Sequence, residues 1–370
     1  MDDFPDRGAP FRTTIRPGGV DPVIASILSA RQRPARATAP PGSSRITHLC
    51  EADDVDGIDT YLRRYPASPI VLDVLGTLDP HEIRARVHEL DPQLDEVFFF
   101  GVSVGAVFGL LRADGSRVAM KIHKLFTDEA YFEQVQRVQA ALAAAGFPAP
   151  RPLGRRGLVV WEEWIDEGAF RDAHEPDVRS AMARELARFH KLATASGSRP
   201  RRPFLQPADA LWPRPHNVLF DFDATEAGAE WIDDIGRATR CVRAVGSEAV
   251  GHTDWSAKHL RFDDALRLTA LYDWDSVTTD LEPALVGTAA GSFTYTEELE
   301  RPIEMWPAAD ESLSFIEEYE RERGARFTRA ERETALAACV YLRAYDARCQ
   351  YAYTGDARAS GLAELADALL

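Results

Sequence analysis

Cysteine is scarce in this chain: Cys50, Cys241, Cys339 and Cys349 are the four among 370 residues. None forms a C-x-x-C pair or a zinc spacing, so neither a disulfide framework nor a thiolate metal site is expected. Reduced thiols in the cytoplasm are the simplest account. Long apolar runs are also missing, and no stretch is long enough to cross a bilayer, so no membrane partner is expected. The first residues, MDDFPDRGAP, are acidic and broken by proline, unlike a secretory leader. Positive charge is in deficit too, with a formal net charge of −16. That argues against nucleic acid as the main partner, because a phosphate backbone requires a basic face. An acidic surface suits a cationic small molecule and equally serves solubility.

What remains is an ordinary globular composition, 45% hydrophobic and 28% charged, long enough for two lobes. Residues 1–45 are rich in Pro, Gly, Ser and Arg without apolar period, and predict a disordered, solvated basic tail. Residues 46–94 predict an N-terminal extension. A short helical pattern covers Asp54 to Arg64, an apolar run follows at Ile70-Val71-Leu72, and Asp79-Pro80 starts a helix over 79–89. No chemistry is visible in them.

Chemistry concentrates in residues 250–275, VGHTDWSAKHLRFDDALRLTALYDWD. A tight polar loop brings His252 and Asp254 together; two strands joined by a turn at Asp263-Asp264 then deliver Asp273 and Asp275. A hairpin between them would hold both carboxylates at one spot. Phosphoryl transfer requires such a set, one carboxylate for the attacking hydroxyl and another for the Mg²⁺ bridging the phosphate oxygens.

A second informative stretch is residues 95–124, DEVFFFGVSVGAVFGLLRADGSRVAMKIHK. Three β-rich segments alternate with glycines, and Ala113-Asp114-Gly115-Ser116 reads as a hairpin turn. Gly101 and Gly105 would let backbone approach phosphates, although a bulged strand pair would look the same. Val118-Ala119-Met120-Lys121 closely resembles the V-A-I-K strand of kinases, whose lysine binds the α- and β-phosphates; Lys124 reads as an outward-facing edge lysine. A helix over 127–145, capped by Thr127 and stopped at Gly146, should bring a carboxylate to Lys121. Glu133 is the first choice and Glu129 the alternative.

The order of these motifs resembles the aminoglycoside phosphotransferase and choline kinase-like family, whose signatures read roughly H-G-D and I-D-W. Here they stand as His252-Thr253-Asp254 and Tyr272-Asp273-Trp274-Asp275. Phe147-Pro148-Ala149-Pro150-Arg151-Pro152 resembles the family's V-P-V-P-R. Residues 178–194 resemble its L-x-x-L-H-x-L helix, leaving His190 structural. The paired helices about Gly324, over 314–323 and 329–351, resemble its C-terminal pair. The resemblance implies an α+β, two-lobed protein kinase-like fold. Residues 95–164 would be the nucleotide-binding N-lobe with a small antiparallel sheet, and residues 165–370 a mainly helical C-lobe. It also implies a hinge at Glu162, Glu163 and Trp164 that reads the adenine edge through backbone groups.

In the mechanism this implies, Asp254 orients or accepts the proton of a substrate hydroxyl, and Asp273 holds Mg²⁺ across the β- and γ-phosphates. Lys121 neutralises the α- and β-phosphates, and Lys258 contacts the γ-phosphate. The family's Asn for a second Mg²⁺ is replaced by His259. If His259 is a metal ligand, His259→Asn is expected to keep or raise activity with Mg²⁺, and complete loss would sink the equivalence.

The reading is therefore an ATP-dependent O-phosphotransferase (GTP not excluded) using Mg²⁺. It would act as a monomer or homodimer on an aminoglycoside or other antibiotic, an amino alcohol or a sugar. A nucleotide-binding pseudokinase is the alternative. A protein kinase is disfavoured, since no A-P-E segment follows Asp273. Residues 214–223, RPHNVLFDFD, with Trp231-Ile232-Asp233-Asp234, imitate the catalytic signatures. Trp212 stands where their Asp should be, so 205–245 reads as an insertion near the acceptor. After Asp275, the stretch SVTTDLEPALVG resembles the family's G-D-P-x-x-D-L-A, and either Asp280 or Glu282 could meet a basic acceptor.

Overall fold

The computed structural model of the chain describes residues 56–123, 128–202 and 210–370. The expected basic tail, Cys50, Lys124 and the Thr127 cap lie outside these residues. Three short helices come first: α1 (Gly57–Arg64), α2 (Pro69–Leu75) and α3 (Pro80–Leu90). Each begins on a side-chain cap, Asp56, Ser68 and Asp79 accepting from the first-turn amides. Such caps satisfy donors that a helix end leaves without partners. The apolar run Ile70-Val71-Leu72 thus lies in a helix.

These helices cover a five-stranded sheet built from β1 (Leu94–Val102), β2 (Ala106–Arg112), β3 (Arg117–Ile122), β4 (Pro152–Arg156) and β5 (Val159–Glu163). Its strand order is β1-β2-β3-β5-β4, antiparallel throughout. Ile58, Val71, Ile83 and Val87 pack with Phe100, Phe108, Leu110 and Met120 in one apolar cluster, which closes the outer face of the sheet. The opposite face carries Lys121. Helix α4 (Glu129–Ala144) follows, capped by Asp128, whose side chain accepts from the Ala130 amide.

The second lobe is mostly helical: α5 (Pro176–Ala195), α6 (Glu230–Arg240), α7 (Glu282–Ser292), α8 (Ala309–Arg323), α9 (Arg329–Thr354) and α10 (Leu362–Leu369). Two small ribbons are embedded in it. Strand β6 (Glu248–His252) pairs with β9 (Val277–Leu281), and β7 (Leu260–Phe262) with β8 (Leu268–Leu271). The start of the expected polar loop, Val250 to His252, is therefore strand. Helices α8 and α9 are separated by Gly324 in the left-handed region, φ 78°, and α9 starts on a Thr328/Glu331 capping box.

Helices α7 and α9 touch closely enough to require glycine. A Cβ at Gly287 would stand 1.9 Å from the Ala335 carbonyl oxygen, which is backbone and cannot swing away. Gly287→Ala is therefore expected to force the helices apart at a cost of about 1–3 kcal/mol or more. Thermal denaturation of the variant would read this as a lowered Tm; an unchanged Tm would mean that the helices separate freely.

Candidate active site

The β7–β8 hairpin and the β6–β9 ribbon bring the two ends of residues 252–275 together. The Thr253 amide and hydroxyl both donate to the Ser276 carbonyl, each at 2.9 Å. The Tyr272 amide donates to the His259 carbonyl at 2.9 Å. Asp254 and Asp273, far apart in the chain, are thereby held on one rigid frame. Asp273 occupies the left-handed region at φ 62°, a conformation in which aspartate is tolerated better than most side chains. Its carboxylate accepts from Ser276 Oγ at 2.6 Å.

His252 is fully buried. Its Nε2 donates to the Tyr272 carbonyl at 3.0 Å, and its Nδ1 accepts from the Asp254 amide at 3.2 Å. Burial pushes it down to about 4, so the ring is neutral and both nitrogens are spent on backbone. It shapes the loop rather than reaching outward.

Asp254 is crowded with partners. Ser256 Oγ donates to Oδ1 at 2.9 Å, while Lys258 Nζ and His259 Nε2 each lie 3.0 Å from Oδ2. Burial raises this carboxyl, but the adjacent Lys258 and His259 outweigh it and hold it well below the usual carboxylate range. Lys258 loses by burial and gains more from Asp254, ending above its ordinary value. Its ammonium also lies 4.6 Å over the Tyr295 ring.

Asp273 and Asp275 are driven in opposite directions. Burial and the neighbouring Asp273 charge push Asp275 well above the usual range. Burial also opposes the Asp273 charge, but His259 and the hydrogen bond from Asp275 win and hold Asp273 far below it. Among the described residues, Asp254, His259 and Asp273 offer one ligand atom each, all within 4.8 Å of one another. Two carboxylate oxygens and an imidazole nitrogen fit a divalent cation. Asp275 stands outside this group, its Oδ2 3.6 Å from His123 Nδ1.

Across the cleft, Lys121 is buried and pairs with Glu162, Nζ to Oε1 2.6 Å. The strand register explains the pairing: Lys121 faces Val160 and Ala119 faces Glu162, so both side chains lie on one face two residues apart. Gln139 of α4 donates to the other Glu162 oxygen at 2.8 Å. Burial lowers the lysine, yet Glu162, then Asp275 and Asp273, raise it above its ordinary value. Lys121, Gln139, Glu162, Trp274 and Asp275 line one cleft between the sheet and the frame that holds Asp254 and Asp273.

Three expectations are corrected. Glu133 does not meet Lys121: it is exposed and pairs with Arg137 one turn on, while Glu129 pairs with Arg155. The inward face of α4 presents Gln139 at that height, and a carboxylate from the neighbouring strand is closer. At the hinge, the Glu163 amide donates to the Arg151 carbonyl and the Trp164 amide to that of Arg117, so of the expected backbone groups these two amides are taken up within the fold. Glu282 is not free, since it accepts from Tyr319 Oη at 2.6 Å and pairs with Arg323.

Gly101 and Gly105 flank the β1–β2 turn. A Cβ at Gly105 would stand 2.6 Å from the Ile122 carbonyl oxygen, so the close approach that needs glycine is to β3. His190 is buried and bonded to Tyr319 Oη at 2.9 Å, as its structural reading required. In the imitating segment, Trp231 to Asp234 lie in α6, where Asp233 accepts from the Trp212 indole at 2.8 Å. Sequence reasoning missed Gln139, the side-chain role of Glu162, and Asp346 on α9. Asp346 had no signal, being one aspartate in an amphipathic helix.

The phosphotransferase enzyme family model matches residues 106–324, more than half of the chain, and the chain belongs to that family. No curated protein matches it by sequence. Among solved structures it is similar to the amicoumacin kinase hAmiN in complex with AMP-PNP, Ca²⁺ and Ami. There the identity is 12% and the TM-score 0.51, over 78% of this chain and 92% of that one. It is also similar to the choline kinase from Cryptosporidium parvum Iowa II, at 11% identity and TM-score 0.49 over 78% and 95%. For the type VIII aminoglycoside-3'-phosphotransferase the values are 17% and 0.43 over 71% and 98%. At these identities the likeness is one of fold, and the last two scores carry no further argument. The fold is the two-lobed α+β, protein kinase-like one that the motifs implied. Among the described residues, no helix is long and apolar enough to cross a membrane.

Proposed function

We propose that this protein transfers the γ-phosphoryl group of ATP to a hydroxyl of a small cationic molecule. The observation that carries the reading is the frame holding Asp254 beside Asp273, with the Lys121–Glu162 pair on the facing wall of the cleft. Asp254, ionised, accepts the hydroxyl proton and orients the attacking oxygen. Lys121 receives the α- and β-phosphates as a point charge. Lys258, next to Asp254, is placed for the γ-phosphoryl oxygens. A divalent cation held by Asp273 and His259 would offset the phosphate charge. Little covalent chemistry is asked of the protein; fixed charges and positioning supply the rate. AMP-PNP and Ca²⁺ in the amicoumacin kinase structure agree with nucleotide and divalent cation use.

Asp346 supports a cationic acceptor. It is half-buried on α9 and, among the described residues, has no side-chain hydrogen bond or ion pair. Burial raises it to about 7, against Arg343, and the Asp254 and Lys258 charges reach it. An acceptor ammonium would satisfy it. A carboxyl raised on folding keeps its proton until about pH 7, whereas the unfolded chain ionises near the ordinary value. Its stabilising contribution is therefore lost as pH rises between those limits. Asp346→Asn is expected to raise Tm at pH 8 with little change at pH 4, and to weaken acceptor binding at pH 8. Thermal scans and titration with the acceptor check both; equal Tm at pH 8 would contradict it.

The direct test is ADP release from Mg·ATP across a panel of hydroxylated cationic metabolites and antibiotics. Acceptor-dependent release names the substrate class. One observation favours a second reading, a nucleotide-binding regulator: Lys258 and His259 both occupy Asp254 Oδ2. Saturable ATP binding with no release for any acceptor would select it.

A further inference from the structure

We infer that the cation site of this protein, built on His259 and Asp273 beside Asp254, selects a divalent transition-metal ion such as Co²⁺, Fe²⁺ or Zn²⁺ over Mg²⁺. Three features of the site point the same way.

The first is the donor set. His259 Nε2 lies 3.9 Å from Asp273 Oδ2 and 3.0 Å from Asp254 Oδ2, so one nitrogen faces both carboxylates. Mg²⁺ takes oxygen ligands and gives up its waters reluctantly, whereas imidazole is a good ligand for the later first-row ions.

The second is charge. A hard ion depends on uncompensated negative charge, and this site has little to spare. Lys258 Nζ already sits 3.0 Å from Asp254 Oδ2, and Asp275 lies outside the ligand group. With the carboxylates partly neutralised, a ligand that bonds through a lone pair counts for more.

The third is the consequence for Asp254. With Nε2 carrying a proton, His259 donates to Asp254. A metal-bound Nε2 has no proton to donate, so metal loading removes one of the two contacts on Asp254 Oδ2. Occupancy of the site and loss of that contact are then the same event, with Lys258 left on Oδ2. His259 is held for this role by its own backbone: its amide donates to Ser256 and its carbonyl accepts from Tyr272, fixing the ring over the two aspartates.

The test uses the full chain without acceptor, so it reads ion binding whether or not phosphoryl transfer is the activity. Co²⁺ and Mg²⁺ are titrated separately by calorimetry into the protein and into His259→Asn. Proton NMR of the Co²⁺ form looks for an exchangeable, hyperfine-shifted imidazole N–H. The expected result is tighter binding of Co²⁺ than of Mg²⁺, a fall in that ratio of about tenfold in the variant, and loss of the shifted resonance. Absence of the resonance in the unaltered protein overturns the inference without recourse to any variant. So does an unchanged Co²⁺-to-Mg²⁺ ratio in a His259→Asn protein whose thermal unfolding shows it folded.

Discussion

Asp254→Asn is expected to lower acceptor-dependent ADP release by about 10²–10⁴-fold while nucleotide binding changes little. Asparagine keeps the shape and can still receive Ser256 Oγ, but it cannot accept a hydroxyl proton. The rate loss should therefore fall on kcat rather than on the KM for ATP, because Lys121 and the cleft wall are untouched. Initial-rate kinetics in both substrates make the separation. A variant retaining most of its activity would remove Asp254 from the chemistry and return attention to positioning alone. The pH profile offers an independent check. Because Lys258 and His259 hold Asp254 below the ordinary carboxylate range, it stays ionised through pH 5, and the acid limb of kcat should not fall there on its account. The stability this carboxylate contributes is present above the ordinary value and is lost as pH falls through the depressed one. The variant should accordingly be less stable than the unaltered protein at pH 7 and match it in strong acid.

Lys121→Met is the second large effect, and it tests stability and function separately. The side chains of Lys121 and Glu162 are 10% and 6% exposed, so removing one partner leaves a carboxylate buried and uncompensated. Breaking a buried pair costs about 3–5 kcal/mol. Lys121→Met alone should lower Tm by several degrees and abolish phosphoryl transfer. Lys121→Met with Glu162→Met restores an apolar pair on the same face of β3 and β5 and should recover most of the lost Tm without recovering activity. If the double variant stays as unstable as the single one, the uncompensated charge is not the cause. If it regains activity, Lys121 is not a phosphate ligand. Gln139 offers a milder probe of the same cluster, since it holds the second Glu162 oxygen by a neutral hydrogen bond.

Much of the first lobe was legible because its elements are tied to local pattern. Strand alternation placed Lys121 on one face of a half-buried sheet, the Ala113–Ser116 turn joined β2 to β3, and capping residues marked α3. The turn at Asp263-Asp264 likewise predicted the β7–β8 hairpin that unites Asp254 with Asp273. Trp212, standing where an aspartate was needed, set the imitating segment apart from residues 252–275, and the structure puts Trp231 to Asp234 in a helix.

The partner of Lys121 was not legible in the same way. Helical spacing says which residues share a face, but not how far that face is rotated toward the sheet. The rotation of α4 is set by burial of Tyr131, Phe132, Val135 and Val138, and it turns Glu133 outward to Arg137 and Gln139 inward. Nor could spacing show that Glu162 would face Lys121, because cross-strand register depends on how β3 and β5 align. The sequence by itself therefore determined the turns, the order of the motifs and the carboxylates of the frame, consequences of short-range periodicity, while the two-lobed architecture followed from the family resemblance those motifs carry. Only the tertiary structure decided which carboxylate meets Lys121, how His259 faces Asp273, and that Asp346 lies within reach of the Asp254 and Lys258 charges. Those contacts join residues from separate elements, and packing of whole faces sets the angles and registers that bring them together.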